Sequence, residues 1–325
     1  MSTTKGVLRR LAGPRARQVY TASIGRQVAA HRQRPEYLRR LVAQYAVSDD
    51  LIVNENGRVP VRWWRYADNF GDLLSPWLIA RMTGRGVVKS HPTEPHYVAI
   101  GSILGFTSEN STVWGTGSFG TEDTDRFAEG ATYTAVRGPL SRIRLIKQGV
   151  ECPRVYGDPA LLVPAYFSPR VEKTHKYGIV ARWSEERWRE AGIAPDVKLI
   201  DLGSADVEGV IEEMLSCRYI ITGSLHGLIM ADAYGIPSAW VITGTAEGGA
   251  FKFFDYFSTV NKFRNSQAFD FTRPVTAARL RDLDFDSRPI RFDHRRLLDA
   301  CPFLERVDSR AVEPAIPAQR TYVDA

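Results

Sequence analysis

The alternation of short β-rich runs with helical patterns of about ten residues constrains the fold of this sequence most strongly. The alternation is clearest in the second half, where strands are predicted at 177–181, 197–201, 219–222 and 238–242. The helices predicted between these strands cover 185–191, 207–216 and 226–234. Strands separated by helices pair in parallel and are buried on both faces. The pattern therefore predicts an α/β fold, with parallel sheets and helices on both faces.

The first half repeats this alternation less regularly. Its predicted strands are 59–64, 87–89, 97–100, 112–114 and 132–136, and its predicted helices are 72–82 and 139–148. A polar, proline-containing segment at 164–176 breaks the pattern and is predicted to link two Rossmann-like domains that face a cleft. The predicted units are a basic N-terminal arm at 1–50, domains at 51–166 and 167–265, and a C-terminal helix (295–300) and tail within 266–325.

Positive charge is concentrated in the first 40 residues. They contain ten Lys and Arg against one acid, whereas the remainder has 33 basic and 36 acidic residues. This distribution argues against a nucleic-acid-binding surface spread over the molecule.

Three widely spaced cysteines indicate a reducing compartment. Since the chain also lacks a secretion signal and a run of about 20 apolar residues, we expect a cytoplasmic location.

In parallel α/β sheets, ligands bind where strands end and helices begin. The first such loop is Asn69-Phe-Gly-Asp72, just before a predicted helix. Gly71 allows close approach of the backbone to a ligand, and Asp72 is predicted to cap the helix through its carboxylate. A capping Asp after a turn glycine, with no further function, is the alternative.

Two further loops follow strands of the first half. Gly115–Gly120 formally matches GxGxxG, but its context is wrong for a dinucleotide site. We interpret it as a turn of exposed backbone N–H groups, including those of Gly117 and Ser118, that can hold an anion; a plain flexible loop is the alternative. Arg137 ends the next strand, and its planar guanidinium suits a carboxylate or phosphate, with a surface ion pair as the alternative.

The sharpest candidate is His226, which lies between an apolar strand and an apolar helix. A helix N-terminus attracts anions, so this histidine suits a phosphate or carboxylate substrate. A structural, partly buried histidine is the alternative. No metal site is predicted, because His91, Glu94 and His96 form only a weak set. No HExxH, GxSxG or P-loop motif occurs.

Taken together, these loops resemble the polysaccharide pyruvyl transferase family. The matching runs, in order, are NFGD (69–72), VWGTGSFG (113–120), AVRGPLSR (135–142), YGDPALLVP (156–164), GIVARW (178–183), IITGSLHGLIMADAYGIP (220–237) and FKFFDYFSTV (251–260). The resemblance implies a fold like that of GT-B glycosyltransferases. It also implies that a pyruvyl group moves from phosphoenolpyruvate to a sugar as a ketal, with release of phosphate. No cofactor is implied beyond this donor substrate.

The resemblance also implies roles for individual residues. By position, Arg137 binds the phosphoenolpyruvate anion, with Gly117 and Ser118 on the donor side. His226 is the catalytic acid and Asp72 the base, with Asn69 and Gly71 on the acceptor side. Many members carry Arg where this chain has Ser224. Lys252 or Arg182 is expected to supply the missing positive charge.

Other functions remain open at this stage. A nucleotide-sugar glycosyltransferase on the same fold is the main alternative, because fold alone does not determine function. A non-catalytic scaffold in glycan assembly is another. The expected partners are phosphoenolpyruvate and a sugar acceptor, which a lipid would carry at the inner membrane face. Residues 1–40 would then bind anionic lipid, at about 1 kcal/mol per basic residue. A solvated or oligomer-contacting helix is the alternative for this arm.

Overall fold

The computed structural model describes residues 25–64, 68–123, 127–182, 184–244 and 249–307. Residues 1–24 of the basic arm and the tail from residue 308 lie outside the described residues. The strands are β1 (Tyr45–Val47), β2 (Val59–Val61), β3 (Val87–Lys89), β4 (His96–Val98), β5 (Ser111–Trp114), β6 (Thr132–Ala135), β7 (His175–Ala181), β8 (Val197–Asp201), β9 (Cys217–Thr222), β10 (Ser238–Trp240) and β11 (Leu304–Arg306).

Ten named α-helices connect or flank these strands in the described part of the chain. They are α1 (Pro35–Val42), α2 (Phe70–Thr83), α3 (Pro139–Ile146), α4 (Val163–Tyr166), α5 (Arg187–Glu190), α6 (Val207–Leu215), α7 (Leu225–Ala233), α8 (Phe251–Val260), α9 (Ala277–Leu280) and α10 (His294–Asp299). Residues 25–32 are also helical and precede α1. Short 3₁₀ turns cover Leu104–Phe106 and Pro159–Leu162.

Two parallel sheets organise the molecule, which confirms the α/β class. The first sheet has the order β3-β2-β4-β5-β6, and the second has the order β10-β9-β7-β8. All pairings within both sheets are parallel. A separate antiparallel pair, β1 and β11, joins the two ends of the described chain. Helices packed on the sheets put the carboxyl ends of the strands next to helix N-termini, where the candidate loops lie.

The predicted elements are close to the observed ones, with a few informative differences. The helix predicted at 72–82 begins two residues earlier, at Phe70. Strand β2 is shorter than predicted and ends at Val61. The segment predicted as a linker contains helix α4 up to Tyr166 and strand β7 from His175, and Val163 and Pro164 are buried. The predicted domain boundaries themselves stay a prediction.

One hydrophobic cluster spans both sheets, and each sheet has a further cluster of its own. A single cluster of buried side chains contains Phe70, Leu74 and Leu78 of α2 together with Val210 and Met214 of α6. At the edge of this contact, the Trp77 indole N–H donates to Glu208 at 3.2 Å, and Arg81 forms an ion pair with the same carboxylate. Helix α2, which follows the Asn69 loop, is therefore anchored on the second half of the chain. No described helix has the length and apolarity needed to cross a membrane.

Candidate active site

The Asn69 loop begins helix α2, and Asn69 provides the cap. Its side-chain oxygen accepts a hydrogen bond from the Gly71 N–H at 3.0 Å. The prediction that Asp72 caps the helix is wrong, because Asp72 lies inside the first turn, beyond the position from which a side chain can cap. The Phe70 N–H donates to the Leu202 carbonyl at 2.8 Å, which ties this loop to the second half.

His226 packs directly against Gly71. A Cβ atom on Gly71 would lie 1.9 Å from the His226 Nδ1, so the absence of a side chain at Gly71 makes room for the imidazole ring. His226 is the second residue of α7, and Ser224 caps that helix by accepting from the Gly227 N–H. The His226 Nε2 is buried and has no hydrogen-bond partner in the described part of the chain. The structure thus brings together two predicted loops from the two halves.

The protonation states in this cluster depart strongly from ordinary values. Burial raises the pKa of Asp72 to about 7, against the opposing effect of Lys252. Burial, together with the nearby charges of Arg137 and Lys252, lowers the pKa of His226 to about 3. At neutral pH the histidine is therefore neutral, and the Asp72 carboxyl is poised near its titration point. Side chains whose pKa values are shifted this far are typical of functional sites.

Lys252 lies in the first turn of α8 and is buried. It affects the pKa of both Asp72 and His226, so its ammonium group lies within electrostatic reach of both. Its ammonium also lies 5.2 Å from the centroid of the Phe119 ring. Lys252 thus lies at this cluster, and its role in binding the donor stays a prediction.

Arg137 is fully buried and held by the protein itself. Its Nε donates to Asp255 at 3.1 Å, its Nη1 to the Ser102 hydroxyl at 2.6 Å, and its Nη2 to the Ser118 carbonyl at 2.7 Å. The surface ion pair considered as an alternative is therefore a buried one. Its role as a ligand of the donor stays a prediction, although its charge reaches His226.

Asp255 holds the whole Arg137 segment. Besides Arg137, its carboxylate accepts from the N–H groups of Leu140 and Ser141, both at 2.9 Å, and from the Ser141 hydroxyl at 2.6 Å. A Cβ on Gly138 would lie 2.2 Å from the Asp255 carbonyl oxygen, so a glycine is required for this approach. Sequence analysis assigned Asp255 no role, although it lies in the matching run 251–260.

The Gly115–Gly120 loop does not expose its amides as predicted. Gly117 donates to the Gly101 carbonyl at 3.0 Å, and Ser118 donates to the Ser141 hydroxyl at 2.9 Å. The Phe119 and Gly120 amides do bind an anion, but this anion is the carboxylate of Glu122. The prediction is therefore wrong for Gly117 and Ser118, because protein acceptors already occupy their N–H groups. The sequence held no signal that a glutamate two residues beyond the loop would fold back onto it.

Arg182 forms an ion pair with the buried Glu185, through Nε at 3.1 Å and Nη2 at 3.0 Å. Glu185 also accepts from the Thr243 hydroxyl, which fixes this pair at the carboxyl ends of β7 and β10.

Ser224 is buried, and its side chain caps helix α7. Within the described residues, no three His, Cys, Asp or Glu side chains gather to hold a metal ion.

Comparisons with known proteins agree with the motifs. The family model described as polysaccharide pyruvyl transferase matches residues 111–244. An uncharacterized protein of Acanthamoeba polyphaga mimivirus is 28% identical over 204 residues, covering 58% of this chain and 70% of that protein. The succinoglycan biosynthesis protein ExoV of Rhizobium meliloti (strain 1021) is 28% identical over 215 residues, covering 62% of this chain and 64% of its own length. No solved structure matches the chain. These matches confirm the family resemblance.

Proposed function

We propose that this chain, which matches the polysaccharide pyruvyl transferase family model over residues 111–244, transfers the pyruvyl group of phosphoenolpyruvate to a sugar during polysaccharide synthesis. The observation that carries the proposal is the meeting of Gly71 and His226 beside Asp72 and Lys252. An acid, a base and a cation from the two halves of the chain are the groups that pyruvyl transfer requires. A GT-B-like arrangement, with the reaction between the halves, is part of the proposal.

In this mechanism, Lys252 attracts the anionic groups of phosphoenolpyruvate, and the buried Arg137 adds to the positive potential. Burial and, after it, these two cations lower the pKa of His226 in the structure. A bound anion offsets their charge and raises that pKa, so that His226 gains a proton when the donor binds. Measurement of the His226 pKa by NMR, with and without phosphoenolpyruvate, tests this step, and an unchanged pKa contradicts it.

The chemistry then needs one proton donor and one proton acceptor. Protonated His226 gives its proton to the methylene carbon of the enol, and the central carbon becomes electrophilic. Asp72 takes the proton of the attacking sugar hydroxyl and forms the neutral acid that its pKa of about 7 permits. A second hydroxyl displaces phosphate from the same carbon, its proton leaves with the phosphate, and the ketal closes.

The acceptor is proposed to be a sugar on a lipid-linked glycan precursor. The basic residues of 1–40 support this choice, because a membrane-bound acceptor favours an enzyme held at an anionic surface. Co-sedimentation with anionic liposomes, comparing the full chain with a variant lacking residues 1–40, tests the membrane part of the proposal. Equal and salt-insensitive sedimentation contradicts it.

The direct test is incubation with phosphoenolpyruvate and lipid-linked glycan precursors of the host, followed by mass spectrometry. The expected product gains the mass of a pyruvate ketal and appears together with free phosphate. His226→Ala is the control and should give no product. Thermal stabilisation by a UDP- or GDP-sugar, with none by phosphoenolpyruvate, would instead indicate a glycosyltransferase.

A further inference from the structure

The turn formed by residues 118–122, here called the Glu122 turn, holds a carboxylate on two backbone amides. The Phe119 N–H donates to Glu122 Oε1 at 2.9 Å, and the Gly120 N–H donates to Oε2 at 2.7 Å. Each carboxylate oxygen thus receives one amide, as when successive N–H groups bind a phosphate or carboxylate. The Gly120 N–H is shared, because it also donates to the Ser118 hydroxyl oxygen at 2.8 Å. Gly120 has φ of +98°, a conformation that a glycine adopts without strain.

Arg144 of α3 adds positive charge to the same place. Its Nη1 donates to the Gly120 carbonyl at 2.7 Å, and its Nη2 donates to the Glu122 main-chain carbonyl. The same Nη2 lies 3.9 Å from Glu122 Oε2. The guanidinium therefore holds the turn through two of its carbonyls and places a positive charge next to the carboxylate that the amides bind. Sequence analysis did not single out Arg144.

The Glu122 turn borders the candidate active site. The Phe119 ring lies 5.2 Å from the Lys252 ammonium, which acts on both Asp72 and His226. On the other side, a Cβ on Gly120 would lie 2.5 Å from the Phe251 ring, so the turn packs against the start of α8. An anion bound at this turn is therefore next to the reacting groups.

We propose that the Phe119 and Gly120 amides, together with Arg144, form a binding site for a phosphate or carboxylate group of a substrate, and that the Glu122 carboxylate occupies this site until the substrate displaces it. The assignment to a substrate rests on the proposed function. Glu122 is two and three residues from the amides it binds, so rotation of its side chain empties the site without unfolding α3 or β6. The anion has two possible sources, the phosphoenolpyruvate donor and the diphosphate of a lipid-linked acceptor.

The proposal is tested by binding, which requires no turnover. Affinity for inorganic phosphate is measured by calorimetry for the parent chain, for Glu122→Ala and for Glu122→Gln. If the Glu122 carboxylate occupies the site in about nine-tenths of the molecules, Glu122→Ala should tighten phosphate binding about tenfold. Glu122→Gln should tighten it less, because its amide oxygen still accepts from the loop. Glu151→Ala, which removes an exposed carboxylate of the same half, is the matched control and should leave affinity unchanged.

A second change and a second measurement identify the site. Adding Arg144→Gln to Glu122→Ala should abolish the increase in phosphate affinity. In the parent chain, phosphate titration should shift the amide NMR signals of Phe119 and Gly120, which keeps the proposal testable if Glu122→Ala does not fold. Unchanged or weaker phosphate binding in folded Glu122 variants, or unmoved amide signals, overturns it.

Two further probes identify the source of the anion. If Glu122→Ala also tightens phosphoenolpyruvate binding, the donor uses the site. If it tightens geranyl diphosphate binding and leaves phosphoenolpyruvate binding unchanged, the acceptor uses it. Because the anion site is measured by equilibrium binding and pyruvyl transfer by product mass, the two proposals can fail separately.

Discussion

Asp72 and Asp255 are two buried aspartates with opposite surroundings. Asp255 receives four hydrogen bonds, from Arg137, from the Leu140 N–H and from the N–H and hydroxyl of Ser141, and it holds two halves of the chain together. Asp72 is buried in a site that raises its pKa to about 7, with Lys252 as the opposing influence. Full pairing makes a carboxylate structural, whereas incomplete compensation leaves it able to exchange a proton near neutral pH.

Asp72→Asn should therefore reduce activity and leave the fold intact. The amide keeps the size of the neutral acid but cannot take a proton, so kcat should fall by about 100- to 10,000-fold, the usual contribution of general acid–base catalysis. Phosphate release from phosphoenolpyruvate in the presence of acceptor measures the effect. A kcat within a few-fold of the parent would remove Asp72 from the mechanism.

Asp255→Ala, in contrast, should mainly lower the free energy of unfolding. It leaves the buried Arg137 without its counter-charge, and breaking a buried pair in this way costs about 3–5 kcal/mol. Urea denaturation of the parent and the variant measures the loss. A double-mutant cycle with Ser141→Ala should show coupling, because the Ser141 hydroxyl donates a hydrogen bond to Asp255. Additive losses would contradict the shared network.

The periodicity of the sequence predicts the sheets well, because alternating strands and helices leave few ways to bury apolar faces. Helix α6 and strand β8 lie where the pattern places them. Within each sheet the candidate loops lie close together, because the carboxyl ends of its parallel strands share an edge. The sequence does not predict which polar groups already have hydrogen-bond partners in the fold, because those partners lie far away in the chain.

Arg137 and Gly117 illustrate this limit. Their local sequence suggests an exposed cation and an open amide turn, but the partner of Arg137 is Asp255, 118 residues later. A Cβ on Gly117 would lie 2.4 Å from the Arg137 Cζ, so this glycine makes room for the guanidinium and not for a ligand. Likewise, the extent to which His226 is buried depends on contact with Gly71 of the other half, which no local pattern contains.

Gly71→Ala tests that contact between halves. The new methyl group would overlap the imidazole of His226, so the ring or helix α2 has to move, at a cost of about 1–3 kcal/mol for overpacking. We expect a fall in kcat that exceeds the loss of stability, since displacement of a catalytic group by about 1 Å reduces rates by about 100-fold. Gly86→Ala is the matched control, because its nearest neighbour would lie at 3.7 Å. Equal activity of the two variants would contradict the placement of His226.

The smallest expected effect that bears on the comparison of Asp72 with Asp255 is the pH dependence of folding stability. The pKa of Asp72 is raised from 3.8 to about 7, so the folded state binds more protons than the unfolded state and stability falls as pH rises through this window. The pKa of His226 is lowered from 6.5 to about 3, so stability rises with pH from about 3 to 6.5. Between about pH 4 and 6.5 the two slopes oppose each other in the parent chain.

Asp72→Asn removes only the falling slope. The free energy of unfolding of this variant, relative to the parent, should therefore increase by about 1.4 kcal/mol per pH unit between pH 4 and 7. Urea denaturation at half-unit steps of pH measures this difference. A flat difference for Asp72→Asn would mean that Asp72 is ionised in the folded protein over this pH range.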